Sequence, residues 1–178
     1  MRKLSMEALN RKSVDEFHKS DKQPIVVVLD NIRSMHNVGS VFRTADAFLL
    51  QGIYLCGYTP QPPHREINKT ALGATETVAW KYFPTTTGAV QLLKEEGYRV
   101  FAVEQAENSV LLQNINIPGA EKIAVVFGNE VDGVGDDVLL LCERCIEIPQ
   151  SGMKHSLNIS VAAGIVLWEL VSTRTWKN

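Results

Sequence analysis

Two runs in this chain, Ile25-Val26-Val27-Val28-Leu29 and Ile123-Ala124-Val125-Val126-Phe127, are apolar at every position. A strand buried on both faces of a parallel sheet reads this way, because neither face can afford polar alternation. Residues 53–56, 99–103 and 145–148 are mostly apolar runs and read as further strands. Between them the period changes. Val38, Val41, Phe42, Ala45 and Phe48 recur at helical spacing, which predicts a helix over 37–49 with Asn37 near its N-cap. Residues 85–96 form a second helix closed by Gly97, and Asp136 is expected to cap a short one running to Leu141. Residues 1–20 suggest short amphipathic helices, with Ser13-x-x-Glu16 as a capping box.

The last helical stretch, Val161-Ala162-Ala163-Gly164-Ile165-Val166-Leu167-Trp168, is apolar on almost every side and is expected to be buried all round. Pro60, Pro62 and Pro63 make 58–65 an extended surface loop. Strands alternating with helices imply an α/β fold, a parallel sheet with helices on both faces. No repeat, low-complexity tract or linker divides it. The expected organisation is therefore one domain, with 1–22 as a helical extension and 23–178 as the core.

At 178 residues and 45% hydrophobic, the chain has enough apolar mass for a full core. No apolar run approaches the roughly 18 residues that span a bilayer, and the first residues lack the pattern of a signal peptide. Three cysteines, Cys56, Cys142 and Cys145, give no disulfide framework and suit a reducing cytoplasm. Cys142-x-x-Cys145 has no second pair and no nearby histidine, so two part-buried thiols are expected rather than a metal site. The net charge is −2, unevenly spread: +4 over 1–94, −8 over 95–147 and +2 over 148–178. A phosphate backbone would be met by the first half and by Lys154 and His155. The acidic middle would face away or line a pocket for something cationic.

Three polar loops follow apolar strands, where open parallel sheets bind ligands. The first runs from Asp30 to Arg43, the second from Gly128 to Gly135, and the third follows Ile148. The second has neither the Lys-Ser/Thr of a triphosphate loop nor G-x-G-x-x-G spacing, and Glu130 and Asp132 would repel a pyrophosphate. Backbone groups and carboxylates there suit a cofactor with hydroxyls, an ammonium or a sulfonium, such as S-adenosylmethionine. A tight turn with solvent carboxylates is the alternative. The third loop, Ser151 to Ser160, holds Ser, Lys, His and Asn between a strand and an apolar helix. It reads as a site, or as a capped helix start.

Asn37-x-Gly39-x-x-x-Arg43, Phe127-Gly128-Asn129-Glu130-x-x-Gly133 and Ile148-Pro149-x-x-Gly152-x-x-x-Ser156-Leu157-Asn158-x-Ser160 occur in this order. Together they resemble the three motifs of the SpoU (TrmH-like) RNA 2′-O-ribose methyltransferases of the SPOUT superfamily, over about residues 20–172. The resemblance implies a parallel α/β sheet with a C-terminal deep trefoil knot. It also implies a homodimer with active sites at its interface, S-adenosylmethionine as cofactor, no metal, and transfer or ribosomal RNA as substrate. Val103, Glu104, Gly128, Asn129, Ile148, Met153 and Leu157 would hold the cofactor. Its methyl would face Arg43, Glu130, Ser156 and Asn158, with Asn37 in support.

A ribose 2′-hydroxyl is a poor nucleophile and needs proton removal or stabilisation of the developing alkoxide. The resemblance puts Arg43 in that role. A guanidinium rarely gives up a proton, so Arg43 is expected to stay charged and to hold the target phosphate and the alkoxide together. Asn37 either caps its helix, orients Arg43, or does both. Glu130 orients Arg43 or a neighbouring amide, and Ser156 and Asn158 position the ribose or cap the last helix. His36 and His155 are rival bases but read better as RNA contacts, with Arg33, Arg65, Lys69 and Lys154. Trp168 and Trp176 are expected in the core or the dimer seam. The competing functions are a non-catalytic RNA-binding module on the same fold and an enzyme using another nucleotide cofactor.

Overall fold

The computed structural model describes residues 1–5, 8, 12–119, 121–154 and 156–175. Helix α1 (Val14–Lys19) opens with the expected capping box. The Ser13 side chain accepts from the Glu16 amide, and Glu16 returns the bond to Ser13. There follow β1 (Gln23–Asp30), α2 (Met35–Ala47), β2 (Leu50–Cys56), α3 (Arg65–Ala71), α4 (Ala74–Thr77), β3 (Trp80–Phe83) and α5 (Thr86–Glu95). The second half comprises β4 (Arg99–Val103), β5 (Val110–Leu111), a 3-10 turn (Leu112–Asn114), β6 (Ile123–Phe127), α6 (Asp136–Leu139), β7 (Arg144–Glu147) and α7 (Ile159–Thr175).

All seven strands join one parallel sheet in the order β3-β2-β1-β6-β4-β7-β5. The two fully apolar runs, β1 and β6, are central neighbours, as burial on both faces requires. Alternate residues of β1 feed two cores. Ile25, Val27 and Leu29 meet α2, α3 and α7, including Phe42, Ile67, Val166 and Leu167. Val26 and Val28 meet Ala89, Val90 and Leu93 of α5 and Val138 of α6. Each such aliphatic side chain contributes about 1.5–3 kcal/mol by leaving water.

Several expectations need correcting. Helix α2 starts two residues early, and its cap is Ser34, whose hydroxyl accepts from the Asn37 amide at 3.2 Å. That leaves the Asn37 side chain for other work. Asp136 lies inside α6; Gly135 precedes it, and no side chain caps this helix. The sequence pattern predicts no element between 66 and 84, where most of α3, all of α4 and the edge strand β3 stand. These elements are too short, and too irregular in pattern, to show a period. The largest correction concerns α7. Ala163, Val166, Leu167, Leu170 and Val171 are buried, but Val161, Ile165 and Trp168 form an exposed apolar stripe, with Trp168 at 52% exposure. The Trp168 ring leans on Phe48 at 6.1 Å. Among the described residues no helix is long and apolar enough to cross a membrane. Trp176 lies outside the described residues.

Candidate active site

Beyond the C-terminal ends of β4, β6 and β7 lies a cavity of about 720 Å³. Val103, Glu104, Gln105 and Ala106 line it from the end of β4, and Phe127 to Val134 from the end of β6. Ile146, Ile148, Gln150, Ser156, Leu157, Asn158, Ile159 and Ala162 close it from the β7–α7 side. Six of the seven expected cofactor residues are therefore on its wall. Met153 is the exception: it is 83% exposed and does not line the cavity. It stands in a stretch that leaves the cavity wall between Gln150 and Ser156.

The loop after β6 is tightly folded. Asn129 and Gly133 exchange backbone bonds at 3.1 Å each, and the Asn129 carboxamide oxygen accepts from the amides of Val131 and Asp132 at 2.9 Å. A Cβ on Gly128 would sit 1.9 Å from the Gly133 carbonyl carbon, so only glycine lets the turn close. Glu104 is drawn into the same task. Its carboxylate accepts from Val134 N at 3.2 Å and from Gln105 N at 2.9 Å. The side chains of Asn129 and Glu104 thus build the wall and leave backbone groups to face a ligand.

Sequence reasoning missed Asp30. It ends β1, is only 3% exposed, and accepts from Thr86 Oγ1 at 2.5 Å, Asn31 Nδ2 at 2.9 Å and Gly135 N at 3.1 Å. Three donors satisfy a buried carboxylate that would otherwise be costly, and they tie the β6–α6 loop to the centre of the sheet. The available signal was a carboxylate closing a fully apolar strand.

Asn37, Glu130 and Asn158 form a chain of side chains that joins all three motif loops. Asn37 Nδ2 donates to Glu130 Oε1 at 2.9 Å, and Asn158 Nδ2 donates to Asn37 Oδ1 at 3.2 Å. Glu130 Oε2 also takes the Arg33 amide at 3.3 Å. Asn158 Oδ1 in turn accepts from Ser160 N at 2.9 Å and Ser160 Oγ at 2.6 Å, so Asn158 also caps the start of α7. Partial burial opposes the Glu130 charge. Hydrogen bonds from its own amide, from Asn37 and from the amides of Arg33 and Ser34 outweigh it and hold the carboxyl below its usual range.

The structure does not bring Arg43 to this group. Arg43 is exposed on α2, and among the described residues nothing pairs with it. Of the two roles expected for Glu130, orienting Arg43 or a neighbouring amide, the structure shows the second: it holds the Arg33 amide and the Asn37 carboxamide. Ser156 lines the cavity. Of the expected RNA contacts, His36 and Lys69 share Glu66 at 3.0 and 2.7 Å. Arg33 lies 4.0 Å from Asp132, and Arg65 and Lys154 are exposed. His155 lies outside the described residues. Burial pushes the thiols of Cys56 and Cys142 up to about 12, and that of Cys145 up as well. Such thiols are inert near neutrality, which agrees with the structural reading of the Cys142-x-x-Cys145 pair.

The model of the SpoU rRNA Methylase family matches residues 24–168. The tRNA (guanosine(18)-2′-O)-methyltransferase of Thermus thermophilus is 31% identical over 159 residues, covering 89% of this chain and 80% of that protein. A 23S rRNA (guanosine-2′-O-)-methyltransferase of Vibrio parahaemolyticus is 30% identical over 167 residues, 93% of this chain and 66% of that protein. Among solved structures, the Aquifex aeolicus TrmH/SpoU tRNA modifying enzyme has a TM-score of 0.80 at 25% identity, covering 90% of this chain and 80% of the other. An AdoMet-bound rRNA methyltransferase from Sinorhizobium meliloti has a TM-score of 0.79 at 27% identity, covering 94% and 62%.

Proposed function

Because this chain belongs to the SpoU rRNA methylase family, we propose that it transfers a methyl group from S-adenosylmethionine to a ribose 2′-hydroxyl of transfer or ribosomal RNA. The observation that carries this reading is that the motif loops after β6 and β7 line one cavity, with the first motif loop locked to both through Asn37, Glu130 and Asn158. A non-catalytic RNA-binding module has no need of such a lock. Two similar chains, from Thermus and Vibrio, are named for guanosine 2′-O-methylation, one of tRNA and one of 23S rRNA.

The cavity residues fit the cofactor chemically. Phe127, Val103, Ile146, Ile148 and Leu157 offer apolar walls for an adenine, while the charges of Glu104, Glu130 and Asp132 make the lining negative, which suits an ammonium and a sulfonium and disfavours phosphates. When bound, S-adenosylmethionine supplies a methyl group made electrophilic by its sulfonium. The chain supplies the rest. The Asn37–Glu130–Asn158 lock fixes the loops, Ser156 and Asn158 position the ribose, and Arg43 steadies the target phosphate and the emerging alkoxide. The 2′-hydroxyl proton passes to water or a phosphate oxygen, since a guanidinium retains its own.

The exposed Arg43 gains a place in this chemistry if two copies assemble. The reading includes a homodimer seated on the Val161–Ile165–Trp168 stripe, with active sites at the seam; that stripe is the kind of apolar patch a monomer leaves exposed only for a partner. It also includes a C-terminal trefoil knot. In support, β7 inserts between β4 and β5 rather than at an edge, after which the chain crosses the cavity to lay α7 on α2. Residues 1–22 serve as an extension to the knotted core, and the free, high-pKa thiols suit a reducing cytoplasm. Calorimetry with S-adenosylmethionine and S-adenosylhomocysteine tests the reading: both are expected to bind the cavity, and binding of neither contradicts it.

A further inference from the structure

Tyr58 presents its ring to solvent, at 55% exposure, from a turn that is fastened at every residue. Gly57 N donates to Phe83 O at 3.0 Å, Tyr58 N to Asn31 Oδ1 at 3.2 Å, and Thr59 N to Cys56 O at 3.1 Å. The buried Thr59 hydroxyl accepts from Ile32 N and donates to Leu29 O, both at 3.0 Å, so this turn and the β1–α2 loop are one rigid piece. Asn31 and Gly57 both take left-handed backbone, φ 54° and 63°. Asparagine and glycine are the residues that adopt this turn conformation most readily.

The outward ring is not alone. The Arg33 guanidinium lies beside the Tyr58 hydroxyl, which holds its pKa up, and the Asp132 carboxylate stands 4.0 Å from it. The Arg33 amide meanwhile binds Glu130 at 3.3 Å. Asp132 and Glu130 both line the cavity, so Tyr58 stands one side chain away from its rim. Residues 57–65 contain no acidic group and add His64 and Arg65. A rigid aromatic beside a guanidinium, on a loop without carboxylates, matches the surface on which proteins stack unpaired bases.

We propose that Tyr58, with the Arg33 guanidinium held against it, is a stacking platform for an unpaired nucleobase of the RNA beside the nucleotide that is methylated. The proposal rests on the methyltransferase reading above and adds a residue that determines which RNA conformation is accepted. The strand must be single-stranded or splayed at this point, because a base within a duplex has no free face to offer.

Fluorescence anisotropy with a labelled short oligoadenylate RNA, and with a matching abasic ribose-phosphate oligomer, tests this on the intact protein. Tyr58→Ala is expected to weaken oligoadenylate binding about tenfold. Tyr58→Phe, which keeps the ring, is expected to stay within about twofold of wild type. Both variants should bind the abasic oligomer and S-adenosylhomocysteine as wild type does, which also shows that they are folded. Equal oligoadenylate binding by wild type and Tyr58→Ala overturns the proposal. So does an equal loss on the abasic oligomer, or a Tyr58→Phe defect as large as that of Tyr58→Ala. Wild type that binds S-adenosylhomocysteine but no oligoadenylate removes the platform and leaves the methyltransferase reading standing. Wild type that does not bind S-adenosylhomocysteine removes both.

Discussion

Glu130 fastens the loop after β6 to the first motif loop, and Asn37 carries that link on to Asn158. Its two oxygens accept from two donors of the first motif loop, Asn37 Nδ2 and Arg33 N. Glutamine can keep only one of these bonds, since its amide nitrogen would face a donor. Glu130→Gln is expected to cost about 1–2 kcal/mol, which is roughly a five- to thirtyfold loss in transfer rate, measured as methyl incorporation into RNA. The pH dependence follows from the same bonds. A carboxyl held below its ordinary value of 4.5 contributes stability that is complete above that pH. The contribution is lost as the pH falls through the lower folded value. Acid titration of thermal stability should therefore show a drop below about pH 4.5 that is smaller in Glu130→Gln, with no Glu130 limb near neutrality.

At the scale of elements, the glycine turn after β6 is the most exacting piece. The Gly128→Ala methyl group would collide with the Gly133 carbonyl carbon, and the Asn129–Gly133 pairing could not form. Calorimetry should show S-adenosylhomocysteine binding reduced a hundredfold or more, with overpacking costing about 1–3 kcal/mol of stability. Affinity within threefold of wild type would mean that the loop does not form the cofactor wall. This turn was legible in the sequence because apolar β6 and its glycines are local signals. So were β1, β4 and the boundaries of α5, which Thr85 and Gly97 punctuate. What stayed hidden depends on tertiary partners. Asn37 looked like a cap until Ser34 took that role, and Asp30 gave no sign of its three donors from distant loops. Met153 lies within the same motif as Ser156 yet faces solvent, at a position the motif leaves open. The short β3 and β5 are strands only because neighbours pair with them.

At the scale of the whole molecule, one chain leaves two things unfinished: an apolar stripe on α7 and an arginine without a partner among the described residues. The proposed second copy would account for both. Light scattering is expected to give twice the chain mass for wild type and a single mass for Val161→Arg, which buries a charge in the seam. The monomeric variant should lose methyl transfer even where it still binds S-adenosylhomocysteine. A monomeric wild type with full activity would remove the dimer from the account. Charge is arranged in keeping with such a division of labour, because the acidic middle segment supplies the cavity carboxylates and leaves the net positive first half to meet an RNA under this proposal.

The central claim is that this protein methylates an RNA ribose and that Arg43 is indispensable to the step. Mapping 2′-O-methylation across transfer and ribosomal RNA tests it most directly, in cells with the protein, without it, and with Arg43→Ala in its place. The account predicts one position that loses its methyl group on deletion and regains it with the wild-type chain. With Arg43→Ala it should stay unmethylated, as expected of a loss of roughly 3–4 kcal/mol of transition-state stabilisation. An unchanged map on deletion, or full restoration by Arg43→Ala, would contradict it.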